Sequence, residues 1–290
     1  MNDPQFIVGI DLGTTNSVLA YTRISDLEQS EQPDTHILEI PQLIGPGTVA
    51  LQQMLPSFIY MPGEKDIASD ALVLPWQDSA EHIAGEFARK RGAEIPHRLI
   101  HSAKSWLCHT AVDREKAILP WGAAPEIMKL SPVEASAALL DHIRRAWNDR
   151  MAREDDRLSL EFQDIYLTVP ASFDAVAREL TVKAAEMAKL PNITLLEEPQ
   201  AAFYAWISVS NGHWRDAVTP GDLVLVCDIG GGTSDFSLIQ VSESAGALEL
   251  ERIAVGSHLL VGGDNMDLAL AYAVAKQMNE KGVRLDSWQM

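Results

Sequence analysis

Two short segments of this 290-residue sequence place the same residue types in the same order. The first runs Val8-Gly9-Ile10 into Asp11-Leu12-Gly13-Thr14-Thr15-Asn16, and the second runs Val224-Leu225-Val226-Cys227 into Asp228-Ile229-Gly230-Gly231-Gly232-Thr233. In each, an apolar run ends in aspartate, an aliphatic residue, glycine and threonine, and a second run follows. Glycines let backbone amides approach an anion with no Cβ in the way, threonine hydroxyls add donors, and the aspartate can hold a hydrated Mg2+. Facing each other, two such turns would clamp a triphosphate. Either turn by itself reads equally well as a plain hairpin corner, because Asp and Gly dominate turns for conformational reasons. Their recurrence at equivalent places is what points to chemistry. Neither follows the Gly-Lys-Ser/Thr pattern opening a helix, nor Gly-x-Gly-x-x-Gly, which sets aside P-loop and Rossmann readings.

The elements that must position these turns follow from pattern. The first turn joins strands at 6–10 and 17–21, and loop-rich sequence at 25–53 leads to a strand at 57–60. Helices are expected at 79–91 and 100–109. Ser131-Pro132-Val133-Glu134 joins an N-cap serine, a proline at the first helical position and a capping-box glutamate, predicting a long helix to about Arg153. A strand at 165–169 ends at Pro170, Asp174 caps a helix over 175–189, and a strand at 193–196 and a helix at 200–208 follow. Alternating strands and helices predict an α/β architecture. Asn211-Gly212 and Pro220-Gly221 mark a linker, after which a second lobe begins and closes with a helix over 265–281 capped by Gly282.

Composition narrows the function. A formal charge of −18 opposes nucleic-acid binding, which rests on clustered Lys and Arg. Cys108 and Cys227 stand in no metal or redox spacing, no two histidines pair as ligands, and the tryptophans, Trp106, Trp121 and Trp147 among them, read as packing. No secretory leader is seen at 1–5, and no apolar run reaches the ~20 residues that span a bilayer. A cytoplasmic protein without membrane or nucleic-acid partners is the expectation.

Several of these segments resemble one family. The 8–17 segment is similar to the first phosphate motif of DnaK-like heat-shock protein 70 chaperones, and Val226-Cys227-Asp228-Ile229-Gly230-Gly231-Gly232-Thr233-Ser234-Asp235 to the second. Leu167-Thr168-Val169-Pro170-Ala171-Ser172-Phe173 and Leu196-Glu197-Glu198-Pro199-Gln200-Ala201-Ala202 resemble the connecting motifs, and Gly262-Gly263-Asp264-Asn265-Met266-Asp267 the entry to the upper second-lobe subdomain. The resemblance implies an actin-like ATPase (ribonuclease H-like) fold with two lobes around a cleft. The first lobe would be 1–212, with a core subdomain at 1–55 and 130–212 and an inserted upper subdomain at 56–129. The second, incomplete, would be 213–290, with its core at about 220–263 and its upper part at 264–290.

The resemblance also implies roles. Asp11, Asp228 and Glu198 would organise Mg2+ and its waters, and Gly13, Thr14, Thr15, Asn16 and Gly230, Gly231 and Gly232 would hold the phosphates of ATP or ADP. Thr233 would contact the γ-phosphate, Asp235 would help hold a monovalent cation such as K+, and Gly262 and Gly263 would join the nucleotide contacts. Pro170 and Arg178 resemble the family's interdomain switch. Glu198 also suits a plain helix-start acid, as does Glu197 beside it. The family's transition-state lysine falls on Arg89, or on Lys90 in a shifted register; a guanidinium is not a conservative exchange at a tight phosphate site. Both also suit a solvated helix face. The family's adenine and ribose contacts would lie beyond Met290, so the chain by itself is expected to bind ATP weakly. Client proteins and co-chaperones would be met through regions outside this sequence. A small-molecule kinase of the same superfold and a nucleotide-sensing scaffold with little hydrolysis are the alternatives.

Overall fold

The computed structural model describes residues 3–27, 34–63, 66–210, 213–244, 247–257 and 259–283. The chain opens with strands β1 (Phe6–Leu12) and β2 (Asn16–Arg23), a turn of helix α1 (Ile24–Leu27), and strands β3 (His36–Ile37), β4 (Ile40–Gly45), β5 (Thr48–Gln52), β6 (Leu55–Pro56) and β7 (Ile59–Tyr60). It continues through β8 (Ile83–Ala84), α2 (Glu86–Glu94), β9 (Leu99–Ile100), α3 (Ala103–Trp106), α4 (Pro132–Met151), β10 (Asp164–Val169), α5 (Ala175–Met187), β11 (Ile193–Glu197), α6 (Glu198–Val209) and α7 (Trp214–Ala217). Strands β12 (Leu223–Ile229), β13 (Ser234–Ser244) and β14 (Ala247–Val255) then precede α8 (Gly263–Glu280). The linker residues Asn211 and Gly212 lie outside the described residues.

A first sheet runs in the order β11-β10-β1-β2-β3, with β6 also on β2. β1 pairs antiparallel with β2 and parallel with β10. A second sheet, β12-β13-β14, is an antiparallel meander. The two Asp-Gly-Thr segments are therefore both hairpin turns, as their internal likeness predicts. Their strands differ in burial: Phe6, Val8 and Ile10 are sealed in the core, whereas Leu223, Leu225 and Ile229 at the corresponding alternation are exposed.

Helix α4 supplies the core's largest piece. Trp147 is fully buried, meets Phe6 and Tyr21 edge-on with ring centroids 5.4 and 5.2 Å away, and donates its indole N–H to the Leu158 carbonyl at 2.7 Å. Its capping box is present in both directions, Glu134 N to Ser131 Oγ at 3.1 Å and Ser131 N to Glu134 Oε2 at 2.6 Å. Asp174 likewise caps α5 through the Ala177 amide at 2.7 Å. No helix among the described residues is long and apolar enough to cross a membrane.

The helices expected at 79–91 and 100–109 are cut short by backbone conformation. Gly85 sits at φ +91°, and the Gln42 side chain accepts from the Glu86 amide at 2.9 Å, so α2 starts only there, while Ile83 and Ala84 pair with β7. Ser102 at φ +55° separates β9 from the single turn of α3.

Two predictions follow from α4. Ser131→Ala should lower unfolding free energy by about 1 kcal/mol in urea denaturation. His142 is buried, donates Nε2–H to the Pro41 carbonyl at 3.0 Å and lies edge-on to Trp76. Burial pushes its pKa from 6.5 to about 4. The unfolded chain thus takes up a proton that the folded chain refuses, and stability is lost as pH falls from 6.5 towards 4, by up to about 1.4 kcal/mol per pH unit. His142→Gln, which keeps a donor for Pro41, should flatten that slope in urea titrations across the window.

Candidate functional site

Alternation along β1 buries Ile10 and Leu12 and leaves Asp11 facing the opposite way at the strand's end. Thr168 Oγ1, on the parallel neighbour β10, donates to Asp11 Oδ1 at 2.9 Å. The turn that follows is tight, for a Cβ on Gly13 would lie 2.1 Å from the Asn16 carbonyl oxygen. Ser57 braces it from outside: its Oγ donates to the Gly13 carbonyl at 2.7 Å and its N–H to the Thr15 carbonyl at 2.8 Å. The buried Ser17 hydroxyl stands 2.9 Å from that of Ser57.

The second turn has its own brace. Gly230 N donates to the Thr233 carbonyl at 2.8 Å, and the first amides of α8 close on the turn from behind, Gly263 N to Gly230 O at 3.0 Å and Asp264 N to Gly231 O at 2.7 Å. Gly262 passes so close that a Cβ there would lie 2.5 Å from the Gly230 carbonyl oxygen. Gly262 and Gly263, read from the sequence as nucleotide contacts, sit behind the turn and do not line the cleft.

The two turns interlock. A Cβ on Gly231 would fall 1.7 Å from Thr15 Oγ1, and one on Gly232 would fall 2.7 Å from Thr14 Cγ2. Beside this junction opens a cleft of about 590 Å3, walled by both turns, from Asp11, Gly13, Thr14, Thr15 and Asn16 on one side to Asp228, Gly230, Gly231 and Thr233 on the other. Gly232 and Asp235 lie outside the wall; Asp235 is buried and accepts from Ser172 Oγ at 2.7 Å.

Lys104 and Glu198 also line the cleft, beside the alanines of α6, Ala201, Ala202 and Ala205. Lys104 rises from α3, Glu198 opens α6, and the two form a hydrogen-bonded ion pair with side chains only 9% and 17% exposed. Burial works against the ammonium, yet Glu198, Asp11 and Asp228 together outweigh it and hold the Lys104 pKa above its ordinary value. Burial raises the Glu198 carboxyl, with Asp11 and Asp228 adding to the rise and Lys104 opposing it. Asp228 is raised for the same reason, with Asp235 and Asp11 adding. The cleft therefore carries more acid than its one lysine neutralises, which suits a bound cation. Thr15 Oγ1 is buried without a hydrogen-bond partner among the described residues. Among the described residues no three carboxylate, histidine or cysteine groups converge closely enough to hold a metal directly.

Arg89 is corrected by this geometry. It is half-exposed on α2 and pairs with Glu86 at 2.7 Å, as Lys90 does at 3.4 Å. Both belong to the solvated helix face, and the cation of the cleft is Lys104. Nothing local in the sequence marks Lys104, which sits on a single turn of helix next to the buried Ala103. Ser57 gives no signal either, since its partners are backbone carbonyls more than forty residues away.

Replacing one member of a buried pair strands the other. Lys104→Met should cost about 3 kcal/mol in urea denaturation, and adding Glu198→Gln should recover part of that loss.

The family described as Hsp70 protein matches residues 7–289. Chaperone protein HscA homolog of Methylibium petroleiphilum is 32% identical over 276 residues, covering 91% of this chain and 36% of that protein. Chaperone protein HscA of Salmonella paratyphi C is 30% identical over 274 residues, 93% of this chain and 37% of that one. The homolog from Actinobacillus pleuropneumoniae serotype 5b is 30% identical over 275 residues, 94% and 38%. The chain thus spans little more than a third of the length of these curated relatives. With both hairpin turns, the strands between them and the acid-lined cleft all inside the matched stretch, this chain belongs to the Hsp70 family.

Proposed function

We propose that this chain is the nucleotide-binding part of an Hsp70-family chaperone of actin-like ATPase fold, holding Mg-ATP or Mg-ADP between its two turns as a conformational switch. The observation that carries the reading is the interlocked pair of Asp-Gly-Thr turns, Gly231 against Thr15, beside a cleft with an acid surplus around one lysine. The turns fall in separate sheets, which supports two lobes divided near 212 and a ligand that feels their relative position. Relatives named as chaperones favour this reading over a small-molecule kinase. Lys104 in the cleft removes the Arg89 departure that kept a non-hydrolysing scaffold in view.

Phosphoryl transfer asks for positioning and charge neutralisation rather than a covalent nucleophile. The amides and hydroxyls of Gly13–Thr15 and Gly230–Thr233 would bind the phosphate oxygens, and Asp11, fixed by Thr168, would face Asp228 across the metal's water shell. A bound Mg2+ supplies charge neutralisation at the terminal phosphates. Lys104, kept charged by the acids around it, would place its ammonium against the transferring group. Glu198, whose burial makes it a stronger base than a solvated glutamate, would orient the attacking water. The cytoplasm is the setting proposed, with client proteins and co-chaperones met by parts of the longer protein.

Fluorescent-ADP titration and single-turnover hydrolysis test this. Binding should require Mg2+ and weaken at least about tenfold in Asp228→Asn. Lys104→Ala should slow single-turnover hydrolysis by at least about a hundredfold, while Arg89→Lys leaves it within about twofold of the parent. Nucleotide binding indifferent to Mg2+ and to Asp228→Asn would overturn the assignment.

A further inference from the structure

A second polar seam joins the two sheets outside the cleft; it includes Arg178, which resembles the family's interdomain switch, and Arg252, which has no role in the reading above. Glu197, the last residue of β11, turns away from the cleft that its neighbour Glu198 enters, and is the meeting point of two guanidiniums. Arg178 on α5 donates Nη2–H to Glu197 Oε1 at 2.8 Å, and Arg252 on β14 donates Nη1–H to the same oxygen at 2.6 Å. Each arginine also reaches the Ala171 carbonyl at 3.4 Å. The three side chains are about a third exposed or less.

Arg178 and Glu197 belong to the first-sheet side, and their pair already neutralises the carboxylate there. Arg252 is the addition, and it comes from the second sheet. Two guanidiniums on one oxygen repel each other, so the trio is stable only while Glu197 stays between them. Parting the sheets would leave Arg178–Glu197 intact and set Arg252 free. Arg252 is also linked to the second turn through β13: it pairs with Ile239, just past a register shift at Leu238/Ile239, on the strand that leaves that turn at Ser234.

We propose that Arg252 is a positioning residue, a latch that ties β14 to Glu197 and Ala171 and so holds the Gly230–Thr233 turn against Thr14 and Thr15. The consequence for ligand exchange rests on the nucleotide reading: unlatching would widen the gap between the turns and hasten ADP release. The latch itself is a property of the ligand-free chain.

Hydrogen–deuterium exchange on the ligand-free chain is the direct test. Arg252→Ala and Glu197→Gln should each speed exchange at 13–15 and 230–233 by about fivefold or more while leaving the paired β12–β13 amides unchanged. Unchanged exchange at the turns in both variants would overturn the latch. So would equal acceleration along all of β12–β14, which would make Arg252 a support of its own sheet. Stopped-flow release of fluorescent ADP should quicken by a similar factor in Arg252→Ala. Failure of the parent chain to bind ADP would sink the nucleotide reading and leave the exchange result standing.

Discussion

Lys104 carries its charge into a cleft whose other ionisable side chains are acids, and the arrangement around it follows from that single placement. Removing an ammonium from water costs several kcal/mol, while unit charges about 4 Å apart attract by about 4 kcal/mol at the effective dielectric of a protein edge. One carboxylate would roughly break even. Glu198, Asp11 and Asp228 together win, so the lysine keeps its proton and the acids are left in excess. The raised Glu198 and Asp228 carboxyls reflect that excess, and other residues must keep these acids close.

Holding like charges near one another requires a frame that does not yield. β1 and β10 supply it on one side, with Thr168 fixing Asp11 and Ser57 pinning the first turn by two backbone carbonyls. The start of α8 supplies it on the other by donating two amides to the second turn. Glycines at the junction let these two braced turns meet at separations that any side chain would forbid. Packing inside each sheet thus fixes the local shape of each turn, and the contacts between sheets fix how near they come.

Much of this was legible in the sequence because it rests on local rules. The Ser131 capping box, the Asp174 cap and the strand stopped by Pro170 are short-range signals, and each element formed where its signal stood. The likeness between the two turns announced a paired site before any fold was in view. What stayed hidden depends on distance along the chain. The α2 boundary is set by Gln42, forty-four residues upstream, and the cleft lysine by the way a single turn of helix is steered through Ser102. Arg89 and Lys104 are separated by a helix end, a 3-10 turn and a strand, and Lys104 is the one that lines the cleft. Arg252 and Glu197 are likewise unreadable as a pair, being fifty-five residues apart.

The grip of Ser57 on the first turn has an evolutionary corollary. The turn is supported by β6 and the serine that follows it, while the stretch between β2 and β6 makes an excursion through β3, β4 and β5. Descendants of this gene are free to lengthen, shorten or redecorate the exposed parts of that excursion, so long as β6 returns to Asn16 and Ser17 and delivers one small hydroxyl beside Gly13. Drift in loop length and fidelity at the backbone of the first turn are thereby uncoupled within a single stretch of chain.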